Sequence, residues 1–244
     1  MNFKNTMALV VAGAGVAVSL CGDGLVAQGA PTPDQMVAAL KTNLQESQKQ
    51  LRQYQWIETT IISLKGEEKA RKQSQVYYAA DGTLTKIPVG GAPAPKPAAE
   101  PKGGRGGGRL KEKVVENKKD EMKDYMDQAV KLIQQYVPPK PDQIQKAKDA
   151  GHMTVQPPDQ GRVRVEFKEF VQPGDLLALD VDAKASKLAA VSVKTYIEKP
   201  DDAVTLDVRY ATLPDGTSYI AQTTLEAAAK NIKVVVQNSG HRAK

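Results

Sequence analysis

A chain of 244 residues with 41% hydrophobic side chains can bury an aliphatic core, in one large domain or two small ones, but 5% aromatics and a single tryptophan leave that core few rings. The formal net charge of +6 is spread over a chain in which lysines and acids alternate as on a solvated face, with one unopposed basic cluster in a Gly-rich stretch. Basic side chains gathered beside exposed aromatics are missing, which argues against a nucleic-acid partner.

The N-terminus carries an address. Lys4 precedes a small, apolar run over residues 7–20, and Ala27 or Ala30 follows as a small residue suited to cleavage. This is the pattern of a secretory signal, too short and too small in side chain for a good membrane span. Residues 1–30 are expected to be a signal peptide, with the mature chain starting between Gln28 and Pro31 and residing in the periplasm. Cys21, the single cysteine, admits two readings: the acylated first residue of a lipoprotein, or part of a discarded leader. Leu20 stands where a lipoprotein motif wants a small residue, which favours the second. The mature chain then has no thiol for a disulfide, a metal or nucleophilic catalysis.

Thr32-Pro33-Asp34-Gln35 is a capping box, and Met36, Val37, Leu40, Leu44, Leu51 and Tyr54 recur at helical spacing behind it. Such a stripe suits a membrane or partner surface, or a cover for a sheet. The cover is preferred, because an unburied apolar face is costly. From Gln55 the period changes, and residues 56–64, 72–80 and 83–89 read as strands with Asp81-Gly82 as a turn. Trp56 there is a ligand anchor or, more commonly for such a position, core.

Residues 90–108, alternating Ala and Pro and then running Gly-Gly-Arg-Gly-Gly-Gly, have the composition of a mobile insertion. Arg105 and Arg109 among glycines superficially resemble an RNA-binding tract, a reading the secretory leader disfavours. Lys96, Lys102, Arg105 and Arg109 instead offer weak contact with an anionic membrane surface or polymer. Helix resumes with Met122, Tyr125, Met126, Ala129, Val130, Ile133 and Tyr136 on one stripe, ended by Pro138-Pro139. Pro141-Asp142 opens a third, short helix that Gly151 closes.

The remainder is a meander. Val163, Val165 and Phe167 alternate with Arg164, Glu166 and Lys168; Leu177, Leu179 and Val181 with Asp180 and Asp182; Val191, Val193 and Ile197 with Ser192 and Lys194. Val204, Leu206, Val208 and Tyr210 continue it, followed by a weaker strand over 219–227 and a last one with Ile232, Val234 and Val236. The breaks are short and turn-rich, so neighbours should pair antiparallel, with one apolar face that the helices must cover.

No motif carries chemistry. His152 in a loop and His241 in a tail of residues 241–244 read as solvated, no serine sits in a nucleophile elbow, and no glycine loop cradles phosphate. No catalytic residue, metal or cofactor is expected. A hydrolase built on converging carboxylates is the least favoured reading.

The capped helix over 32–54, the strand Gly174-Asp175-Leu176-Leu177-Ala178-Leu179-Asp180-Val181-Asp182 with 187–194 after it, and the closing hairpin from Val204 through Pro214-Asp215-Gly216 to Asn231-Ile232-Lys233-Val234-Val235-Val236 resemble the LolA-like family of bacterial envelope proteins. That family includes lipoprotein carriers, lipid-binding lipoproteins and envelope-stress sensor domains. The resemblance implies an α+β fold over residues 31–240, interrupted by the insertion: a curved antiparallel sheet, an incomplete β-barrel, with helices on its concave apolar face. It also implies lipid or lipoprotein acyl chains as ligand, in a cavity between sheet and helices where each buried methylene contributes about 0.8 kcal/mol. By the alternation above, Trp56, Ile62, Val165, Phe167, Leu179, Val193 and Leu206 should line it from the sheet, and Leu44, Met122 and Met126 from the helices. The alternative is an interaction or sensor module with a filled core and an envelope protein partner.

Overall fold

The computed structural model describes residues 33–90 and 108–244. The expected signal peptide with Cys21, the cap at Thr32, and Lys96, Lys102 and Arg105 of the insertion lie outside the described residues. In order, the elements are α1 (Pro33–Leu51), β1 (Tyr54–Leu64), β2 (Glu67–Tyr78), β3 (Leu84–Pro88), α2 (Gly108–Ile133), α3 (Pro141–Asp149), β4 (Met153–Val155), β5 (Arg162–Lys168), β6 (Leu176–Asp182), β7 (Lys187–Tyr196), β8 (Ala203–Thr212), β9 (Ser218–Ala227), a one-turn 3-10 helix (Ala228–Lys230) and β10 (Ile232–Ala243).

All ten strands form one antiparallel sheet in the order β3-β2-β1-β10-β9-β8-β7-β6-β5-β4. Two meanders, β1 to β3 and β4 to β10, are thus joined where the first strand meets the last. The sheet is open, with β3 and β4 as its edges.

Residues directly opposite each other on paired strands share a face, so the register lists the inner face row by row. One row runs Phe167, Leu177, Val193, Leu206, Leu225, Val234 and Ile62. The next runs Val165, Leu179, Val191, Val208, Thr223, Val236 and Thr60. Of the side chains between the two rows, Asp207 on β8 is exposed, Glu166, Ser192, Val235 and Ile61 are half-buried, and the small Ala178 and Thr224 are buried. Period-two alternation therefore produces one apolar face, and the helices bury it.

The helix α1 lies against β9, β7 and β1. Its polar side is tied to the turns at one end of the strands: Asn43 Nδ2 donates to Ser186 O at 2.9 Å, the Ser218 N–H donates to Ser47 Oγ at 3.0 Å, and Thr217 Oγ1 donates to Gln50 Oε1 at 2.7 Å. On α2, Tyr125, Ala129 and Ile133 are spaced four apart and buried on one stripe, with Tyr136 and Val137 beyond the helix continuing into the core. Tyr136 is anchored at the other end of the strands, where its hydroxyl donates to Asp175 Oδ2 at 2.5 Å and lies 2.7 Å from Thr195 Oγ1. Asp175, 3% exposed, also accepts the N–H groups of Phe170, Val171 and Gln172 at 2.6, 2.9 and 2.8 Å. A buried carboxylate is tolerated there because four donors converge on it.

Both edges are blunted. The Val89 N–H bonds back to Gln73 O, so its neighbour Pro88 occupies an outward position of β3 where it presents no donor. Lys86 on the same strand points inward, opposite Val76 and in line with Trp56. On the other edge β4 is three residues long and is followed at 157–158 by two prolines. Short edge strands, inward lysines and prolines all discourage edge-to-edge pairing.

The fold class expected from sequence holds, and several boundaries move. Tyr54 begins β1 instead of ending α1, because the chain must turn at 52–53 to enter the sheet. Gly108, read as the last residue of the insertion, opens α2 instead, with Arg109 next to it. A short β4 precedes the meander. Residues 241–243, read as tail, are the end of β10, held by pairing of Arg242 with Gln55 and Ala243 with Tyr54. Non-local pairing made that strand; Ser239-Gly240 gives no local sign of it.

Candidate functional site

The ten residues expected to line an apolar space between sheet and helices divide into fully packed and half-buried positions. Leu206, Val193 and Phe167 are 0%, 1% and 3% exposed, so these three form a packed floor beneath the helices. Ile62, Val165 and Leu179 on the sheet and Met122 and Met126 on α2 are half-buried and pack against that core. Leu44 is half-buried on α1, while Leu40, one turn earlier, packs against the core. Tyr210 and Val236, which the alternation placed on the apolar face though not among the lining residues, and Ile220, which it missed, are half-buried against the same core. Ile220 was hidden because β9 shifts register against β8 between Arg209 and Tyr210, pairing Tyr210 with Ile220.

Trp56 lies apart from the other nine. It is 9% exposed and outside the main core, in an aromatic cluster at the join of the two meanders. Its ring stacks on His241 at 5.5 Å between centroids and is tilted against Tyr78 at 6.0 Å, and His241 meets Tyr219 at 4.1 Å. The indole Nε1–H donates to Asn238 Oδ1 at 3.0 Å. His241, expected to be solvated, is therefore wedged between aromatic rings, and burial holds its pKa below the usual histidine value. His152, half-buried, has Nε2 3.7 Å from Glu169 Oε2. Arg109 is helical in backbone.

The electrostatics of the covered end are those of neutral phenols against carboxylates. Burial first, and then the hydrogen bond to Asp202, pushes Tyr125 well above the usual tyrosine range. The same two causes, with Asp175 as acceptor, raise Tyr136. Burial alone raises Tyr210 to about 12. All three stay protonated, so the two carboxylates keep donors and α2 stays docked. Asp202 and Asp175 are thus engaged as acceptors for the tyrosine hydroxyls. Among the described residues, no group of three His, Cys, Asp or Glu gathers as metal ligands would.

Two surface depressions flank this arrangement. One of about 280 Å³ lies on the outer face of β5 to β8 between Arg164, Glu166, Ser192, Lys194 and Asp207. The other, about 370 Å³, lies where Ser63 and Gly66 approach Ala228 and Asn231.

No family model and no curated protein matches the sequence. Among solved structures, the chain aligns with a DUF1329 family protein from Desulfovibrio piger at 10% identity, over 84% of this chain and 93% of that one, with a TM-score of 0.35. It also aligns with a LolA superfamily protein from Nitrosomonas europaea at 9% identity, over 83% and 94% of the two chains, with a TM-score of 0.33.

Proposed function

We propose that this protein is a non-enzymatic binding or carrier protein of the cell envelope that holds lipid or lipoprotein acyl chains against the inner face of its sheet. The reading is carried by one observation: the inner face is apolar across β5 to β10 and onto β1, and its rim, with Ile62, Leu179, Val236, Met122 and Met126, is only half-buried. Half-buried apolar surface in a concave setting is where an alkyl chain gains most. Methionine supplies adaptable contacts, because its unbranched thioether follows chains of differing shape. The ring-poor, aliphatic interior agrees with a binder of alkyl chains.

The test is native mass spectrometry of protein isolated from envelope fractions, with extraction and lipid analysis of what it carries. Bound acyl species are expected, and Met126→Asp, which puts a charge on the rim, should lower their occupancy by about tenfold or more at one desolvated carboxylate. A bare polypeptide under lipid-rich conditions defeats the reading. The second reading, an interaction or sensor module with a filled core, is favoured by the full burial of Val193, Leu206 and Leu225. Under it, deleting residues 91–107 should abolish partner capture, whereas lipid uptake should survive that deletion under the first.

A further inference from the structure

The apolar inner face ends on a charge pair. Moving along β1 from Ile62, the inward positions are Thr60, Glu58 and Trp56, and their partners on β10 change from Val234 through Val236 to Asn238. Glu58 meets Lys86 of β3 across the intervening strand, with Nζ 2.7 Å from both carboxylate oxygens. Their side chains are 14% and 23% exposed, which makes this the least exposed ion pair among the described residues. The other pairs sit on outward or surface positions, where an ion pair contributes little. Here two opposite charges are half-buried between Trp56 and the Thr60 that leads to the apolar rim, on a row with Ser74 and Asn238, and both remain within reach of solvent. An inward lysine alone protects the edge of β3; a carboxylate brought to it from two strands away serves no such purpose.

A dipolar group is the ligand that such a pair fits. An incoming head carrying both a phosphate and a primary ammonium replaces one internal ion pair with two external ones, and the net charge of the site does not change. A purely anionic head must compete with Glu58 for Lys86 and leaves the carboxylate unpaired, and a purely cationic one does the reverse. We propose that Glu58 and Lys86 form a head-group site for zwitterionic amphiphiles of the phosphoethanolamine type. Their alkyl chain runs from Thr60 and Val236 onto the rim at Ile62. The proposal rests on the acyl-chain reading above and adds the head-group class to it.

Trp56, the single tryptophan, lies in line with Lys86 on the register and so reports on the site directly. The experiment uses lysophosphatidylethanolamine and lysophosphatidylglycerol of one chain length, each below its micelle concentration, with a nitroxide on the head or at the chain end. Wild-type protein is expected to bind the zwitterion about tenfold tighter or more, the scale of a desolvated charge pair. The head label should quench Trp56 more strongly than the chain-end label. Glu58→Gln should bring the two affinities to within about a factor of two, with Lys86→Gln weakening both, while thermal melts confirm that each variant is folded. If both variants keep the wild-type ratio and lose only melting temperature, the pair merely stitches β3 to β1, and the head-group site is overturned while the acyl-chain reading stands. If wild type binds neither amphiphile, the acyl-chain reading fails and takes this one with it.

Discussion

The two meanders of the sheet are built from the same alternation and end in different states. From β5 to β10 the inward side chains are mostly aliphatic, the helices lie over them, and Leu177, Leu206, Leu225 and Val204 reach 0–1% exposure. On β1 to β3 the inward row becomes Thr60, Glu58 and Trp56 opposite Lys72, Ser74 and Val76, and half of β2 is exposed. That wing is held by side-chain pairs, such as Arg71 with Glu68, Gln73 with Thr59 and Lys86 with Glu58, and by the small cluster of Trp56 and Tyr78. The contrast teaches that strand pairing alone makes a ribbon, whereas a helix packed on its apolar face makes a core. Burial of aliphatic area is worth about 25 cal/mol per Å², and an exposed ion pair is worth less than about 1 kcal/mol.

That contrast can be broken by mutation. Leu206→Ala removes a fully buried side chain from the floor and should cost about 3–5 kcal/mol in urea denaturation, whereas Arg71→Ala on β2 should change stability by about 0.5 kcal/mol or less. Equal costs would mean that the wing is as tightly built as the body. Asp175→Ala comes next: it strands the buried Phe170 N–H, the half-buried N–H groups of Val171 and Gln172, and the Tyr136 hydroxyl. It should lower stability by about 2–4 kcal/mol, with a loss of near-UV ellipticity as α2 undocks. Tyr136→Phe removes a single donor and should cost about 1 kcal/mol.

The same tyrosines give the body a pH dependence. Their folded pKa values are raised, by burial first and then by carboxylate partners for Tyr125 and Tyr136. A raised phenol contributes stability that is complete below the unfolded value near 10 and is lost as pH climbs from there through the folded value. Urea midpoints should therefore hold to about pH 9.5 and then fall, and Tyr125→Phe should flatten that fall. The wing has the opposite, smaller dependence. His241 is lowered by burial, so its contribution is present above the ordinary histidine value of about 6.5 and is lost as pH drops through the folded value. Protonation should loosen its stack on Trp56, read as a shift in tryptophan emission below about pH 6 that His241→Gln abolishes. Smallest in energy but most local, amide exchange should be about tenfold or more faster in β2 and β3 than in β7 and β8; uniform protection would erase the distinction.

Much of this was legible in the residues because both devices at work are local. Alternation placed Val163, Val165 and Phe167 on one face before any pairing was known, and the four-residue spacing of Tyr125, Ala129 and Ile133 marked the helix stripe. Pro33 and Pro141 each stand at the first residue of a helix, as their fixed φ and missing N–H predict. What could not be read depends on partners far along the chain. Trp56 looked like one more inward residue, yet its surroundings are His241 and Asn238, brought beside it only when β10 pairs with β1. Likewise nothing local in the sequence marked Asp175 as a buried acceptor for a tyrosine 39 positions away.

The amino-acid order by itself determined the element types, the antiparallel meanders and which face of each strand is greasy, because periodicity, turn chemistry and capping act over a few residues. Tertiary structure alone decided that the first strand joins the last, that inner-face residues divide into a closed floor and a half-open rim, and that Glu58 meets Lys86. Those outcomes follow from which distant surfaces exclude water together, a quantity that no local window contains.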